Sequence, residues 1–183
     1  RIARHSIDRI QRLIASLLDL NRLEQNQPVG EKQSIKPAEL IGEALEAVKP
    51  VAEGRNQRCL VDAPENLPAV LVDVDMIRRV LINLAENAIK YSPEDSEIQV
   101  VAQASSLGVQ ISIQDNGPGI PESDRERVFD KFTRLKKQGG PSGLGVGLAF
   151  CKLAVQGHGG KIWIEPAPKQ GSKFIFTLPV AKE

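Results

Sequence analysis

The chain is short of the residue types that mark several large classes of protein. It has two cysteines, Cys59 and Cys151, which lie far apart and in no metal-ligand spacing, so we expect two buried thiols in a reducing cytoplasm. The 24 basic and 23 acidic side chains leave a net charge of +1. This balance gives no global argument for nucleic acid or an anionic membrane as the main partner, and we predict no nucleic-acid partner.

Long apolar runs are also missing from the sequence. No segment is long enough to span a bilayer, and no signal peptide is recognisable. The chain opens on Arg1 inside an amphipathic pattern, without a Met or an N-cap, which is typical of a piece of a longer protein. We therefore expect a cytoplasmic portion, and a membrane segment upstream in the parent protein stays an open alternative.

Residues 1–25 contain neither Gly nor Pro and predict one amphipathic helix. Its apolar side chains recur at three- and four-residue steps. The stripe consists of Ile7, Ile10, Ile14 and Leu17, continues to Asn21, and is widened by Leu13, Leu20 and Leu23. A helix this apolar on one side is not stable alone, so the pattern indicates a partner, either in a homodimer or by docking.

The rest of the chain predicts helices grouped with a mostly antiparallel sheet. We expect helices at about 37–53, from Asp73 or Asp75 to Tyr91, and through about residue 156 after a glycine-rich segment. Strands are expected at 34–35, 58–61, 98–102 and 109–113, and in the closing segments KIWIE and SKFIFTL. The predicted fold class is α+β, a two-layer sandwich in which helices cover a mixed sheet.

A polar stripe lies on the helix that is predicted to end at Tyr91. Asn83, Asn87, Lys90 and Tyr91 are spaced so that they share one face. Asn is a poor residue for a helix interior, and two amides, an ammonium and a phenol are an unusual solvated surface. An amide oxygen can ligate Mg²⁺ and an ammonium can neutralise phosphate, which favours a binding site. A plain polar surface stripe is the alternative.

The segment GLGVGL at 143–148 precedes the last predicted helix. Glycines at a helix N-terminus let phosphate approach free backbone N–H groups at the positive end of the helix dipole. The segment is not a P-loop, since no Gly-Lys-Ser/Thr is present, and it lacks the spacing of a dinucleotide fingerprint. A mobile glycine linker is the alternative.

The stretch DNGPGI at 115–120 follows the alternating run LGVQISIQ. An Asp held at the end of a strand by a tight Gly turn offers a fixed acceptor, which suits the exocyclic amino group of adenine. Such a charge-assisted hydrogen bond contributes on the order of 1.5–3 kcal/mol. Gly117 and Gly119 would let the backbone pass close under a flat base. A simple Asx turn is the alternative.

Taken in order, these segments resemble the ATP-binding catalytic domain of sensor histidine kinases, within the Bergerat-fold ATPase superfamily. NLAENAIKY at 83–91 is similar to the N box of that family, DNGPGI to its G1 box, FDKF at 129–132 to its F box, and GLGVGL to its G2 box. GHGGKIWIE and GSKFIFTLP resemble the closing helix–strand–strand segment. Residues 1–27 resemble the second helix of the dimerisation and phosphotransfer hairpin, which implies a linker at 28–33 and a catalytic domain at 34–181.

The resemblance implies Mg-ATP as the ligand. It places Mg²⁺ on Asn87 and the phosphates near Lys90 and Tyr91, and it includes Asn83 among the nucleotide-binding residues. It places the adenine amino group on Asp115, with Gly117, Gly119 and Ile120 under the base, and Ser172 at the adenine edge through water.

The family's lid over the nucleotide corresponds to residues 134–142. Phe132 would pack at its hinge, and Arg134 would reach the γ-phosphate, so Lys90 and Arg134 are the expected catalytic residues beside the metal. The backbone that wraps the phosphates would be that of Gly143, Leu144, Gly145, Val146, Gly147 and Leu148.

The resemblance favours a kinase over a hydrolase. ATP-hydrolysing relatives carry a Glu base four residues before the Mg²⁺-binding Asn, and Asn83 stands at that position here. A histidine kinase transfers the phosphoryl group to a His and then to an Asp of a response-regulator receiver domain.

Neither His of the chain matches the family's phosphate acceptor. His5 lacks the neighbouring acid and the following Pro, and His158 lies in a Gly-rich turn where we expect a structural role. We expect ATP binding without autophosphorylation by this chain alone, because the acceptor helix is not in it. An ATP hydrolase and a non-catalytic nucleotide-sensing or protein-binding module are the alternatives.

Overall fold

The computed structural model describes residues 2–25, 27–133 and 145–181, and within the first helix the side chains at 7, 10, 11 and 14–25. The helices are α1 (Ile2–Glu24), α2 (Pro37–Glu53), α3 (Val74–Tyr91) and α4 (Gly147–Gly157). The strands are β1 (Gln33–Ile35), β2 (Arg58–Asp62), β3 (Val70–Val72), β4 (Glu97–Ser105), β5 (Gly108–Gln114), β6 (Ile162–Pro166) and β7 (Ser172–Leu178). Two short 3₁₀ turns, Glu122–Asp124 and Arg127–Phe129, follow β5.

A five-stranded mixed sheet carries the fold. Its strand order is β2-β4-β5-β7-β6, in which β2 and β4 run parallel and the other neighbours run antiparallel. The alternating apolar side chains of β4, β5 and β7 are buried, and they form one core with the buried faces of α2, α3 and α4. The α+β two-layer fold expected from the sequence is confirmed.

The helix ends follow their sequence signals. α2 begins with Pro37 in its first turn, where a missing N–H costs nothing. Asp73 caps α3, since its Oδ1 accepts the Met76 N–H at 3.0 Å. The other expected cap, Asp75, lies inside the first turn and pairs with Arg78 at 2.6 Å.

Strand β3 was not expected. Its three residues, Val70–Val72, stand directly before the capped start of α3 and pair antiparallel with β1 in a separate two-stranded sheet. Periodicity over three residues is too short to recognise, and the partner strand lies more than thirty residues away. No strand was therefore predicted here, and the segment was grouped with the helix that follows it.

The two thiols differ in their surroundings. Cys151 on α4 is fully buried, and burial raises its pKa to about 12, so it is an inert thiol. Cys59 is only half-buried, because β2 is the edge strand of the main sheet. The expectation of two buried thiols is therefore right for Cys151 and wrong for Cys59.

One side of α1 docks on the rest of the fold. Leu20 is 3% exposed, and α1 packs along α4. Asp19 pairs with Arg79 of α3, and the guanidinium carbon of Arg79 lies 5.0 Å from the ring centroid of Phe150 on α4. Glu24 pairs with Lys131 at 2.5 Å. Docking thus covers part of the apolar surface of α1.

The rest of the predicted apolar stripe of α1 stays exposed. Ile7, Ile10 and Ile14 are each more than half exposed, and Leu17 is 37% exposed. No described residue covers them.

His158 joins the end of α4 to the start of α3. Its ring is buried, Nδ1–H donates to the Ala154 carbonyl oxygen at 2.7 Å, and Nε2 accepts the Asp73 N–H at 2.9 Å. Both bonds require the neutral ring with its proton on Nδ1. Burial lowers the pKa of His158 and the charge of Lys32 adds to this, while the bond to Ala154 and the Asp73 carboxylate oppose it. The structural role expected for His158 agrees with these contacts.

We predict that the free energy of unfolding falls as the pH drops below about 6.5, the ordinary pKa of His. In that range the unfolded chain binds a proton that folded His158 does not, so stability is progressively lost towards the lowered pKa. Urea denaturation at about pH 7.5 and about pH 5.5 measures this for the natural chain and for His158→Gln, which keeps an acceptor but does not titrate. For each pH unit, the free energy of unfolding of the natural chain should fall by up to about 1.4 kcal/mol more than that of His158→Gln. The same pH dependence in both proteins would contradict the prediction.

Candidate functional site

The second half of α3 presents two different faces. The predicted core positions Val80, Leu81 and Leu84 are buried, whereas Asn83, Asn87 and Lys90 are partly exposed and Tyr91 is 48% exposed. Lys90 Nζ lies 5.0 Å from the Tyr91 ring centroid, so the two side chains stay together at the helix end. The helix therefore offers amide, ammonium and phenol groups along one accessible edge.

Asp115 is a buried carboxylate at the end of β5. Its Oδ1 accepts two backbone N–H groups, from Gly117 at 2.8 Å and from Ser172 at 3.0 Å. Burial raises the pKa of Asp115, and these two hydrogen bonds oppose the rise. Oδ2 has no hydrogen-bond partner among the described residues. The carboxylate is thus held in one orientation with one oxygen available.

The loop after Asp115 passes very close to the end of α3. A Cβ on Gly117 would lie 2.9 Å from the Tyr91 carbonyl oxygen, so this approach requires glycine. Gly119 has a φ of 78°, a conformation that side chains disfavour. Ile120, also predicted in the site, packs partly against the core. The Asx-type bond to Gly117 is present, but it coexists with the second bond from Ser172 instead of explaining Asp115 alone.

Gly171 was missed by the sequence analysis. Its φ is 111°, and a Cβ there would overlap the Asp115 carbonyl oxygen and lie 2.9 Å from Asp115 Oδ1. This close approach lets the Asp115 N–H donate to the Ser172 carbonyl at 2.9 Å while the Ser172 N–H returns to the carboxylate. The sequence shows only a Gly in a turn at this position. It gives no sign that Gly171 approaches Asp115, because the two residues are far apart in the chain. Ser172, expected at the adenine edge, acts here through its backbone.

The start of α4 lies against the polar edge of α3. A Cβ on Gly147 would come within 3.7 Å of Asn83 Cγ, and the Asn83 amide also interacts with the buried Cys151 thiol of α4. Val146 is buried, and Leu148 packs partly against the core. The backbone N–H groups of the first turn of α4, which have no partners within the helix, therefore lie beside Asn83.

Phe132 and Gly145 are joined through their backbones. The Phe132 N–H donates to the Gly145 carbonyl oxygen at 2.9 Å, and both residues have positive φ, 60° and 70°. A positive φ is strained for Phe. We expected the Phe132 ring to pack at the hinge, but it is 69% exposed. Phe129 is the buried aromatic of this segment, with Lys152 Nζ 6.0 Å from its ring centroid.

Three of the predicted site residues, Arg134, Gly143 and Leu144, lie outside the described residues, as does the expected lid at 134–142. The structure gathers the other predicted residues around the second half of α3, the loop after β5 and the start of α4.

We predict that Gly171→Ala lowers the free energy of unfolding by about 2 kcal/mol or more, because the new methyl group would collide with the Asp115 backbone at a φ that alanine disfavours. Denaturant unfolding measures the change.

Two glycines provide matched controls for Gly171→Ala. Gly42 lies inside α2 with open space at its Cβ position, so Gly42→Ala should stabilise by up to about 1 kcal/mol. Gly159 has a φ of 79° and equally open space, so Gly159→Ala isolates the backbone strain, about 1 kcal/mol. An effect of Gly171→Ala no larger than that of Gly159→Ala would show that the contact with Asp115 is unimportant.

Comparison with known proteins places this site in a wider group. Residues 72–182 match the family described as histidine kinase-, DNA gyrase B-, and HSP90-like ATPase. The adaptive-response sensory kinase SasA of Synechocystis sp. is 39% identical over 179 residues, which cover 97% of this chain and 47% of that protein. The SasA of Nostoc sp. is 38% identical over 181 residues, 98% of this chain and 45% of that protein. The chain thus spans about half the length of these curated relatives.

Solved structures of histidine kinases share the fold. The catalytic domain of histidine kinase ThkA is 33% identical with a TM-score of 0.72, covering 82% of this chain and 97% of that one. Full-length ShkA in complex with AMPPNP is 27% identical with a TM-score of 0.80, covering 98% of this chain and 38% of that one.

No helix in the described part of the chain combines the length and the apolar character that crossing a bilayer requires.

Proposed function

The chain belongs to the family of histidine kinase-, DNA gyrase B- and HSP90-like ATPases, as the ATP-binding catalytic domain of a sensor histidine kinase, and we propose that it holds Mg-ATP for phosphoryl transfer to a histidine outside this chain. The phosphoryl group would then pass to an aspartate of a response-regulator receiver domain. The observation that carries the proposal is the Asp115 carboxylate, fixed through Oδ1 beside a helix edge that bears Asn87 and Lys90.

Asp115 would bind the adenine. Because the two backbone N–H donors occupy Oδ1, Oδ2 is the oxygen that can accept the exocyclic amino group. The backbone at Gly117 and Gly119 carries no side chain that would obstruct a flat base, and Ile120 offers an apolar contact. Recognition of adenine would therefore rest on one hydrogen bond and on shape.

The polar edge of α3 and the start of α4 would bind the phosphates. Lys90 supplies positive charge, Tyr91 a hydroxyl group, and the first turn of α4 supplies free N–H groups. The segment Gly145 to Leu148 would follow the phosphates with its backbone, and Arg134, Gly143 and Leu144 join this set by family resemblance. Asn83 is partly exposed beside Gly147 in the first turn of α4, so its amide would also lie near the phosphates.

The residues present fit a bound Mg²⁺. Magnesium takes most of its ligands from water and phosphate oxygens and needs few from protein, so the Asn87 amide oxygen would suffice. The described residues contain no cluster of three or more His, Cys, Asp or Glu side chains suited to hold a metal by themselves. When bound, the ion would neutralise charge on the phosphates, while Lys90 and Arg134 would stabilise the transferring group.

The site favours a kinase over a hydrolase. Hydrolysis needs a group that accepts a proton from water, and the amide of Asn83, which stands at the position of the hydrolases' Glu, cannot do so. Glu86 lies one residue before Asn87 on α3 and so points to a different side of the helix. ATP would therefore wait for an incoming nucleophile, and positioning supplies most of the catalysis.

The nucleophile is proposed to come from another segment. His158 is buried with both ring nitrogens in hydrogen bonds, so it cannot attack phosphate. His5 lacks the acceptor's neighbouring residues, and its side chain is outside the described ones.

The proposed boundaries are 1–27 for part of the phosphotransfer hairpin, 28–33 for the linker and 34–181 for the catalytic domain. The exposed Ile7, Ile10 and Ile14 would form the homodimer contact.

We predict that this chain binds Mg-ATP without turning it over. In a calorimetric titration each injection should give binding heat followed by a flat baseline. Asp115→Ala should weaken binding by roughly tenfold to a hundredfold, because it removes a charge-assisted hydrogen bond. Asp62→Ala is the matched control, since Asp62 is an exposed carboxylate on the edge strand β2, two strands away from β5, and it should bind as the natural chain does.

A lasting displacement of the baseline would mean steady hydrolysis and would favour the ATPase alternative, in which Asn83→Glu changes little. Absence of any binding heat at two temperatures would favour the non-catalytic module. Transfer is tested by adding a phosphotransfer hairpin that carries an acceptor His, where acid-labile label is expected and acid-stable label would contradict the kinase proposal.

A further inference from the structure

Gln57 is a buried amide in the turn between α2 and β2. Its side chain is almost fully buried, and its Nε2 lies within hydrogen-bond distance of three carbonyl oxygens at the end of α3: Ile89 at 3.1 Å, Ser92 at 3.2 Å and Pro93 at 2.7 Å. Helix C-termini leave their last carbonyls without intrahelical partners, and here one side chain satisfies several of them. Arg55 adds a further bond to the Ser92 carbonyl at 3.1 Å.

The Gln57 amide is used only as a donor. Its Oε1 is buried without a hydrogen-bond partner among the described residues. A buried acceptor without a partner is unfavourable, so the opposite orientation of the amide would be preferred unless the three carbonyls required N–H groups. Those carbonyls can only accept, which fixes the amide with Nε2 towards α3.

The end of α3 is linked in turn to the loop that carries Asp115. Ser92 Oγ accepts the Asn116 N–H at 3.0 Å, and Asn116 Nδ2 donates to the Glu97 carbonyl at 2.5 Å. Asn116 is the residue next to Asp115. A continuous series of hydrogen bonds therefore runs from Gln57 through Ser92 to the neighbour of the adenine-binding carboxylate.

We propose that Gln57 is a positioning residue that sets the distance between the two ends of the nucleotide site. This inference rests on the proposed function. The end of α3 carries Lys90 and Tyr91 for the phosphates, and the loop carries Asp115 for the base. Gln57 touches neither end of the nucleotide, but it fixes the helix end against which the loop is placed, and binding sites lose affinity when such supporting contacts loosen.

The test compares a ligand that spans both ends with one that occupies a single end. ATP needs the phosphate and adenine groups at the correct separation, whereas adenosine needs only the adenine end. Gln57→Met removes the donors with little change in size, and Gln103→Met, at an exposed position of β4, is the matched control. Calorimetry for Mg-ATP and ligand-observed NMR for adenosine give the two dissociation constants at a temperature where all variants are folded.

Gln57→Met should weaken ATP binding roughly tenfold or more and leave adenosine binding within about twofold, and the amide of Asn116 should exchange faster with solvent. Gln103→Met should change none of these. Ser92→Ala removes the hydrogen bond that Ser92 Oγ accepts from the Asn116 N–H, with a smaller loss of packing. It should raise the dissociation constant for ATP relative to that for adenosine, as Gln57→Met does. This variant tests the inference if Gln57→Met fails to fold.

An equal loss of ATP and adenosine affinity in these variants would assign Gln57 a merely structural role and overturn the inference. Unchanged ATP affinity in Gln57→Met, with the natural chain binding ATP, would overturn it as well and leave the proposed function intact. Failure of the natural chain itself to bind ATP would contradict the proposed function and the inference together.

Discussion

A buried carboxylate needs hydrogen-bond donors, and the way this chain supplies them to Asp115 determines how the site is built. The donors are backbone N–H groups from two places that are distant in sequence, Gly117 in the following loop and Ser172 at the start of β7. They meet only because β5 and β7 are neighbours in the sheet and Gly171 permits their close approach. The same sheet that makes the core thus orients the carboxylate.

Helix α3 connects this carboxylate to the rest of the molecule. Its buried side belongs to the core, its polar edge bears Asn83, Asn87 and Lys90, and its end is fixed by Gln57 and by the loop of Asp115. Arg79, one turn before Asn83, joins the helix to Asp19 of α1. A movement of α1 would therefore act on α4 through their packing and on α3 through the Asp19–Arg79 ion pair.

Sequence reasoning predicted the helices, the main strands and the residues of the proposed site from signals that are local. Asp73 as a cap, the two faces of α3 and the glycines after Asp115 each show within one or two turns of chain. Gly171, Gln57 and β3 were missed because their meaning lies in partners far along the chain, which no local pattern contains. Phe132 was expected to pack at a hinge, and neither its exposure nor its positive φ is visible in the sequence.

Asp115 is proposed to recognise the amino group of adenine, and we would test this by competition between ATP and inosine triphosphate. Inosine has a carbonyl oxygen where adenine has the amino group, so the natural chain should prefer ATP by about tenfold or more. In Asp115→Asn the amide oxygen can keep the two N–H bonds made to Oδ1, which leaves the NH₂ to face the base, and the preference should reverse. Equal affinity of the natural chain for the two nucleotides would contradict the account.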